Sequence, residues 1–340
     1  MVPSDAVRDP DVPGPDRAKT LAEVGERAII AMFTTAAADG GPDIVIGSGD
    51  DAAVLDVGPT VISTDTVVQG RHFRLEWSTP AQIGARAVVQ SAADIAAMGG
   101  RTVGVVVSLA CPADIGVGWL LDLNGGIVDA AHALGARVLG GDLVGADEIV
   151  VGITSVGALD GLAPVTLSGA RAGDVLAVSG PLGAAAAGLA VIGRSGPAPL
   201  ARWRRDADPR ATVTEAFLVP APDLGEGIRA ARAGAHAMTD ISDGLVEELV
   251  TMSVSSGVAL AVRSELIPRL PAVTDVAALL GADADEWVLT GGEDHQLLAA
   301  LPPAAVPSGW VVIGEVSPGP ASVTVDGRRA DTMHGWQAFG

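Results

Sequence analysis

Residues 43–55 read Asp43-Ile44-Val45-Ile46-Gly47-Ser48-Gly49-Asp50-Asp51-Ala52-Ala53-Val54-Leu55, and the fold turns on the two acids that succeed the glycines. A β-branched run feeding a glycine pair announces a phosphate cradle, and Gly47 to Ala52 even satisfies Gly-x-Gly-x-x-Ala, a dinucleotide fingerprint. In a doubly wound fold, however, that loop delivers the pyrophosphate to bare N–H groups at a helix start. Here two carboxylates occupy the place and a second β-branched run comes next. The stretch predicts strand, acidic turn, strand, and hence an α+β fold rather than a doubly wound one.

The neighbouring segments agree. Upstream, "TLAEVGERAIIAMF" sets Thr20 three residues before Glu23, a capping-box spacing, and predicts a helix over about 21–37. Downstream, strands are predicted at 53–57, 60–64, 103–110, 137–140 and 148–158, with helices at 80–98 and 115–134. Strands mixed with long helices, without strict alternation, favour α+β. "GARAGDVLAVSGPLGAAAAGLAVI" opens a second unit, expected to carry strands near 236–240, 258–262, 295–301, 309–316 and 322–326 and helices near 243–255 and 272–280. The polar, proline-bearing "GRSGPAPLARWRRDADPRA" between them reads as a surface loop. Residues 1–18 read as a disordered tail, 19–160 as a first domain and 161–340 as a second.

Composition narrows the chemistry. The chain has 340 residues, 41 acidic against 21 basic, and a formal charge of −20, which argues against affinity for nucleic acid or an anionic membrane. Lys19 is the only lysine, so neither a Walker lysine nor a protein-kinase lysine exists. The single cysteine, Cys111, excludes intrachain disulfides and thiolate metal clusters, and reads as a small buried residue in a reducing compartment. The N-terminal "MVPSDAVRDPDVPGPDRAK" has no apolar segment of a signal or transit peptide, and the apolar tract 103–121 is broken by Pro112, Asp114 and glycines. A cytoplasmic protein is expected.

Against that background the acids stand out. An apolar run followed by aspartate recurs at Asp50-Asp51, Ser63-Thr64-Asp65, Gly140-Gly141-Asp142 and Asp240-Ile241-Ser242-Asp243-Gly244, and Asp94 lies inside a predicted apolar helix. Singly, such residues form turns and cap helices. Together, without lysine or interleaved arginine, they lack cationic partners, and an unpaired buried carboxylate is costly. Divalent cations would supply the charge, and hard oxygen donors suit Mg²⁺ better than zinc. A metal held at the glycine loop would reverse the local sign and admit a polyphosphate.

The segments "GDDAAVL", "STDTVVQGRHF", "ADIAAMGG", "LGGD", "SGARAGD", "DISDGL", "GGEDHQLL" and the terminal "GW" occur in one order over about residues 20–339. In that order the sequence resembles the thiamine-monophosphate kinase family, within the aminoimidazole ribonucleotide synthetase-like superfamily. The resemblance implies a two-domain α+β fold, with an N-terminal mixed or antiparallel sheet that pairs in a homodimer and a C-terminal α+β domain. It implies ATP-dependent phosphorylation of thiamine monophosphate to thiamine diphosphate, with ATP as co-substrate and several Mg²⁺ ions. It implies metal positions at Asp51, Ser63, Thr64, Asp65, Asp94, Asp142, Asp240 and Asp243, selecting Asp51 over Asp50. Nucleotide contacts fall on Asn124, Gly141, Asp142, Arg171 and Ser242, and substrate contacts on His72, Glu293 and Trp336. The acceptor is already a phosphate oxygen, so no dedicated general base is expected.

The match has departures. His295 stands where tyrosine is usual, "VVQSAAD" lacks the common asparagine and serine before the aspartate, and "FLVPAPDLGEG" loses the basic residues of its segment, ending in Asp223. Within the superfamily the alternatives are selenophosphate synthetase and aminoimidazole ribonucleotide synthetase. The former, like the hydrogenase-maturation dehydratase, usually needs a reactive cysteine missing here. A non-catalytic cation-binding module is the alternative of another class, but "DISDG" does not continue into an EF-hand loop.

Overall fold

The computed structural model describes residues 16–36, 40–48, 52–330 and 332–335. Asp50, Asp51 and Trp336 therefore lie outside the described residues. Thr20 opens the first helix through a capping box with Glu23, but Gly25, at φ +84°, divides the single expected helix into α1 (Leu21–Val24) and α2 (Glu26–Ala36). The opening stretch forms an antiparallel pair, β1 (Ile44–Ile46) and β2 (Val54–Leu55). Next come β3 (Thr60–Val68), α3 (Pro80–Ala97), β4 (Arg101–Cys111), α4 (Val117–Ala133), β5 (Arg137–Gly145) and β6 (Val150–Ala158). Cys111 is buried, as expected.

These strands form a mixed sheet in the order β3-β6-β4-β5, antiparallel except for the β4–β5 pair. Asp65 and Asp142, expected beyond strand ends, instead lie within β3 and β5. The strands run on because residues beyond the acids keep pairing: Thr66, Val67 and Val68 meet Gly152, Val151 and Val150 in unbroken register. Side chains alternate along a strand, so Ser63, Asp65 and buried Val67 share the inner face of β3 while Ile62 and Thr64 face out.

The remaining chain gives β7 (Val175–Val178), α5 (Ala184–Ser195), α6 (Leu200–Arg205), α7 (Pro209–Leu218), α8 (Gly225–Ala233), β8 (Ala237–Asp240), α9 (Leu245–Ser256), β9 (Ala259–Val262), α10 (Pro271–Leu280), α11 (Ala284–Thr290), β10 (Leu297–Leu301), β11 (Val311–Ser317), β12 (Ser322–Val325) and β13 (Arg328–Arg329). Its seven-stranded sheet has the order β13-β12-β9-β11-β7-β10-β8, with only β9 and β12 parallel. The predicted surface loop at 193–211 is mostly helical, which corrects that expectation. Leu200 and Trp203 are buried anchors of α6, Asp208 caps α7, and the Arg210 guanidinium lies 4.8 Å over the Trp203 ring. Arg202, Arg204 and Arg210, which suggest a solvated loop, are partnered to Asp206, Glu215 and Asp208.

Helix α3 joins the two sheets. Thr79 and Gln82 close a capping box at its start, with Pro80 in the first turn. It packs on β3, β4 and β6 and on α4, and reaches β8 and α8. The α4 contact is close: a Cβ on Gly126 would sit 2.0 Å from the Ala81 carbonyl oxygen. On the far side Ala92, Ala93, Ala96 and Ala97 share a core with Ala177, Met238, Leu297, Ala299 and Leu301. Alanine suits this position because it fills a narrow seam and has no rotamer entropy to lose. Among the described residues no helix is long and apolar enough to cross a membrane.

Candidate active site

On a largely apolar α3, the polar residues Arg86, Gln90 and Asp94 recur every fourth position and so share one stripe. That stripe faces the inner side of β3 and the end of β8. Ser63 Oγ donates to Asp94 Oδ2 at 2.5 Å, a neutral donor that only partly offsets burial of that carboxyl group. Asp240 terminates β8, and Asp243 lies in the turn before α9. Glu293 enters from the turn after α11, where Arg86 donates to its Oε2 at 2.6 Å and Gln90 at 3.0 Å.

The turn holding Glu293 is tightly determined. Glu293 and His295 adopt left-handed φ values of +72° and +52°, uncommon for residues with a side chain. The Glu293 N–H donates to Ser242 O at 2.8 Å and the His295 N–H to Ile241 O at 3.0 Å. A Cβ on Gly292 would meet that same Ser242 oxygen at 2.4 Å, so glycine allows the approach. Asp294, between the two strained residues, accepts the N–H groups of Gly183 at 2.5 Å and Ala185 at 2.9 Å, fixing the start of α5. His295 Nδ1 lies 3.0 Å from Asp240 Oδ2, and its Nε2 lies 3.6 Å from Glu293 Oε2.

The electrostatics reflect crowding of like charge. Burial pushes Asp94 up to about 6, reinforced by Asp240 and Asp65 and resisted by the Ser63 hydroxyl. Burial, then Asp240, raises Asp65; burial, then Glu293 and Asp240, raises Asp243. Glu248 on α9 rises to about 7, again from burial and Asp240, while accepting from Ser242 Oγ and the Asp243 N–H. Glu293 goes the other way: burial raises it, but Arg86 and His295 outweigh burial and hold it at about 2. Burial of its ring pulls His295 down, but Asp240 and Glu293 overcome that and drive it up to about 10.

One cavity adjoins these groups and a second lies apart from them. The first, of about 460 Å³, is lined by His72, Phe73, Arg74, Trp77, Arg86, Phe217, Glu293 and Gly335. Trp77 and Phe217 meet edge to face at 6.1 Å, and Arg74 lies 4.5 Å over Trp77. The second, of about 480 Å³, is lined by Asn124, Gly141 and Asp142 with apolar Leu109, Leu123, Ile127 and Phe33.

The structure thus gathers Ser63, Asp65, Asp94, Asp240, Asp243 and Ser242 at one cleft, with His72 and Glu293 in the adjoining cavity. Asn124, Gly141 and Asp142 come together elsewhere, Asp142 being three strands across the sheet from Asp65, about 14 Å at ordinary strand spacing. Thr64 points to the outer face, its hydroxyl 3.1 Å from that of Thr154. Arg171 is exposed, on a loop whose Arg171 N–H is held by Asp174 at 2.9 Å, and Asp174 in turn meets His236 Nδ1 at 2.9 Å. Sequence reasoning misses Arg86, Gln90, Glu248 and the Trp77–Phe217 corner. The four-residue spacing on α3 is the available signal for the first two.

Among the described residues no three His, Cys, Asp or Glu side chains already enclose one point as a ready cation cage. That is compatible with Mg²⁺, which keeps waters and takes one or two carboxylates plus ligand phosphates rather than an all-protein shell. The donors at the cleft are carboxylate and hydroxyl oxygens, and burial and mutual repulsion raise the carboxylates' affinity for protons. Such a set fits a hard divalent cation.

Known proteins share this architecture. A family profile described as "AIR synthase related protein, N-terminal domain" matches residues 49–159. A thiamine-monophosphate kinase of Mycobacterium tuberculosis is 43% identical over 324 residues, covering 94% of this chain and 93% of that protein. One from Corynebacterium glutamicum is 38% identical over 327 residues, covering 94% and 95%. A solved structure of AaThiL complexed with AMPPCP and TMP superposes with a TM-score of 0.76 at 28% identity, covering 93% of this chain and 98% of the other.

Proposed function

The chain belongs to the thiamine-monophosphate kinase family, and from that premise we propose that it transfers the γ-phosphoryl group of ATP to thiamine monophosphate, releasing thiamine diphosphate and ADP. The observation that carries the reading is the meeting of Asp65, Asp94, Asp240 and Asp243, from three distant segments of the chain, beside a cavity with an ionised glutamate and an aromatic corner. ATP as co-substrate is supported by the relative bound to AMPPCP, a non-hydrolysable ATP analogue, together with TMP.

Each group has a task. Ser63, Asp65, Asp94, Asp240 and Asp243 would hold Mg²⁺, which supplies charge neutralisation for the two phosphate-bearing reactants. Asp51 is proposed as a further ligand of this set, whereas Thr64 on the outer face of β3 and Asp142 three strands away would have to serve a cation elsewhere. Glu293, kept ionised by Arg86, lines the cavity and suits the cationic thiazolium ring; Trp77 and Phe217 suit its flat faces, and His72 lines the same cavity. Trp336 is proposed as a further substrate contact. Asn124 and Gly141, set among apolar side chains, suit a purine base. Arg171 and Ser242 would meet the nucleotide phosphates. A phosphate oxygen is ionised near neutral pH and attacks in line, so no side chain is assigned as a base.

Residues 19–160 would carry the metal and nucleotide sites and the dimer contact, and residues 161–340 would complete both sites. A homodimer is supported by the outer face of the four-stranded sheet, where Ile62 is 66% exposed, Val144 47% and Val106 39%. A cytoplasmic location accords with the single buried cysteine. Phosphorus NMR of the purified protein with ATP, Mg²⁺ and thiamine monophosphate tests the reaction. The diphosphate doublets of thiamine diphosphate and ADP should grow together, with thiamine a poor acceptor. Inorganic phosphate alone, or transfer only to another acceptor, would reject the reading.

A further inference from the structure

At the floor of the cleft, two carboxylates with different tasks are joined by one ring. Asp240 and His295 are both buried, and the flanking Glu293 is largely enclosed. Asp240 belongs to the acid cluster, whereas Glu293 forms part of the cavity wall. We propose, resting on the kinase reading above, that His295 is a positioning residue that couples the substrate cavity to the metal-binding end of the cleft.

The geometry forms a path of three hydrogen bonds and one longer contact, between His295 Nε2 and Glu293. Phe217, on the cavity wall, offers its carbonyl oxygen to Arg86 Nη1 at 2.8 Å, and Arg86 Nη2 grips Glu293 at 2.6 Å. Glu293 Oε2 lies 3.6 Å from His295 Nε2, and His295 Nδ1 lies 3.0 Å from Asp240. The path is stiff at both ends. Gln90 shares Glu293, and the N–H groups of Glu293 and His295 are tied to the carbonyls of Ser242 and Ile241, the two residues immediately after Asp240. The left-handed backbone at 293 and 295 persists because these bonds over-determine it, and such local strain is characteristic of functional turns. A ligand that draws on Asp240 therefore moves the ring with it, and the ring passes that displacement to Glu293 at the cavity wall. A second ligand at Glu293 then meets a carboxylate already shifted by the first, which couples the two sites.

A phosphate-bearing substrate would touch the metal directly and hide this effect, so thiamine, which has no phosphate, is the probe. Its affinity is measured by calorimetry with the intact protein, with and without Mg²⁺ and AMPPCP. Wild type should bind thiamine about tenfold more tightly when Mg²⁺ and AMPPCP are present, within the usual range of coupling between sites. His295→Phe keeps a flat ring, larger than imidazole, that can hydrogen-bond neither carboxylate, and the gain should fall below about twofold. If His295→Phe does not fold by circular dichroism, His295→Gln replaces it, since one amide cannot hold both carboxylates, and the same loss is expected. A folded variant that keeps the full gain, or a wild type with none, overturns the proposal. Failure of the kinase reading is recorded separately, by absence of thiamine diphosphate from wild type in the phosphorus NMR assay.

Discussion

Asp294 is the residue at which burial and hydrogen bonding compete most openly. Burial pushes it up to about 6, outweighing the backbone N–H donors at residues 183–185 and the nearby His295, which favour its ionised form. A folded pKa above the unfolded value means the native state binds the proton more tightly. The associated stability is full below about pH 4 and is lost as pH rises through about 6. Denaturant unfolding of wild type and Asp294→Asn between pH 4 and 7 should therefore give a flatter profile for the variant; parallel profiles would contradict the assignment. Asp65→Asn and Asp243→Asn each remove a proposed metal donor from the surface of the cleft rather than from the core. Turnover should fall by about 10²–10³-fold with the circular dichroism spectrum unchanged, and near-wild-type turnover would remove that residue from the site. At this scale the acids are legible because each succeeds a readable apolar run. Arg86 and Gln90 are not, because their meaning lies in a four-residue spacing relative to Asp94, and in "VVQSAAD" the departures from a family pattern mask that spacing.

The element that decides the architecture is α3. Its alanine face enters the seam between the sheets, its polar stripe lines the cleft, and its first turns press on α4 at Gly126. Gly126→Val must displace the Ala81 carbonyl and should cost about 1–3 kcal/mol, as overpacking does. Urea unfolding would measure it, and an unchanged midpoint would show that the seam can open freely. The body of α3 is legible from its opening proline and length, as are β4 and α4 from the switch of pattern near Pro112. Strand ends are misjudged where an aspartate looks like a stop: β3 continues past Asp65 because its cross-strand partners continue too. The segment 193–211 is misjudged for the converse reason. Its arginines suggest solvent, while the buried anchors Leu200 and Trp203 are too few to set a visible period.

For the whole molecule, the sheets of four and seven strands meet along α3, and the proposed site lies where they meet. The α+β class and the order of the segments are legible in the sequence, because periodicity and turn residues are local properties. The convergence of β3, α3, β8 and the 291–295 turn is not, because it depends on pairing between distant segments. The outer face of the smaller sheet is the proposed dimer contact, so Ile62→Arg combined with Val144→Asp should convert a dimer to a monomer in light scattering. A dimer unaffected by both charges would place the contact elsewhere. The most direct measurement of all is a crystal of the wild type grown with AMPPCP and Mn²⁺ in place of Mg²⁺, read by anomalous scattering. Peaks are expected between Asp65, Asp94, Asp240 and Asp243, within bonding distance of nucleotide phosphate oxygens. A bound nucleotide with no peak among those four carboxylates would contradict metal-assisted transfer at this cleft.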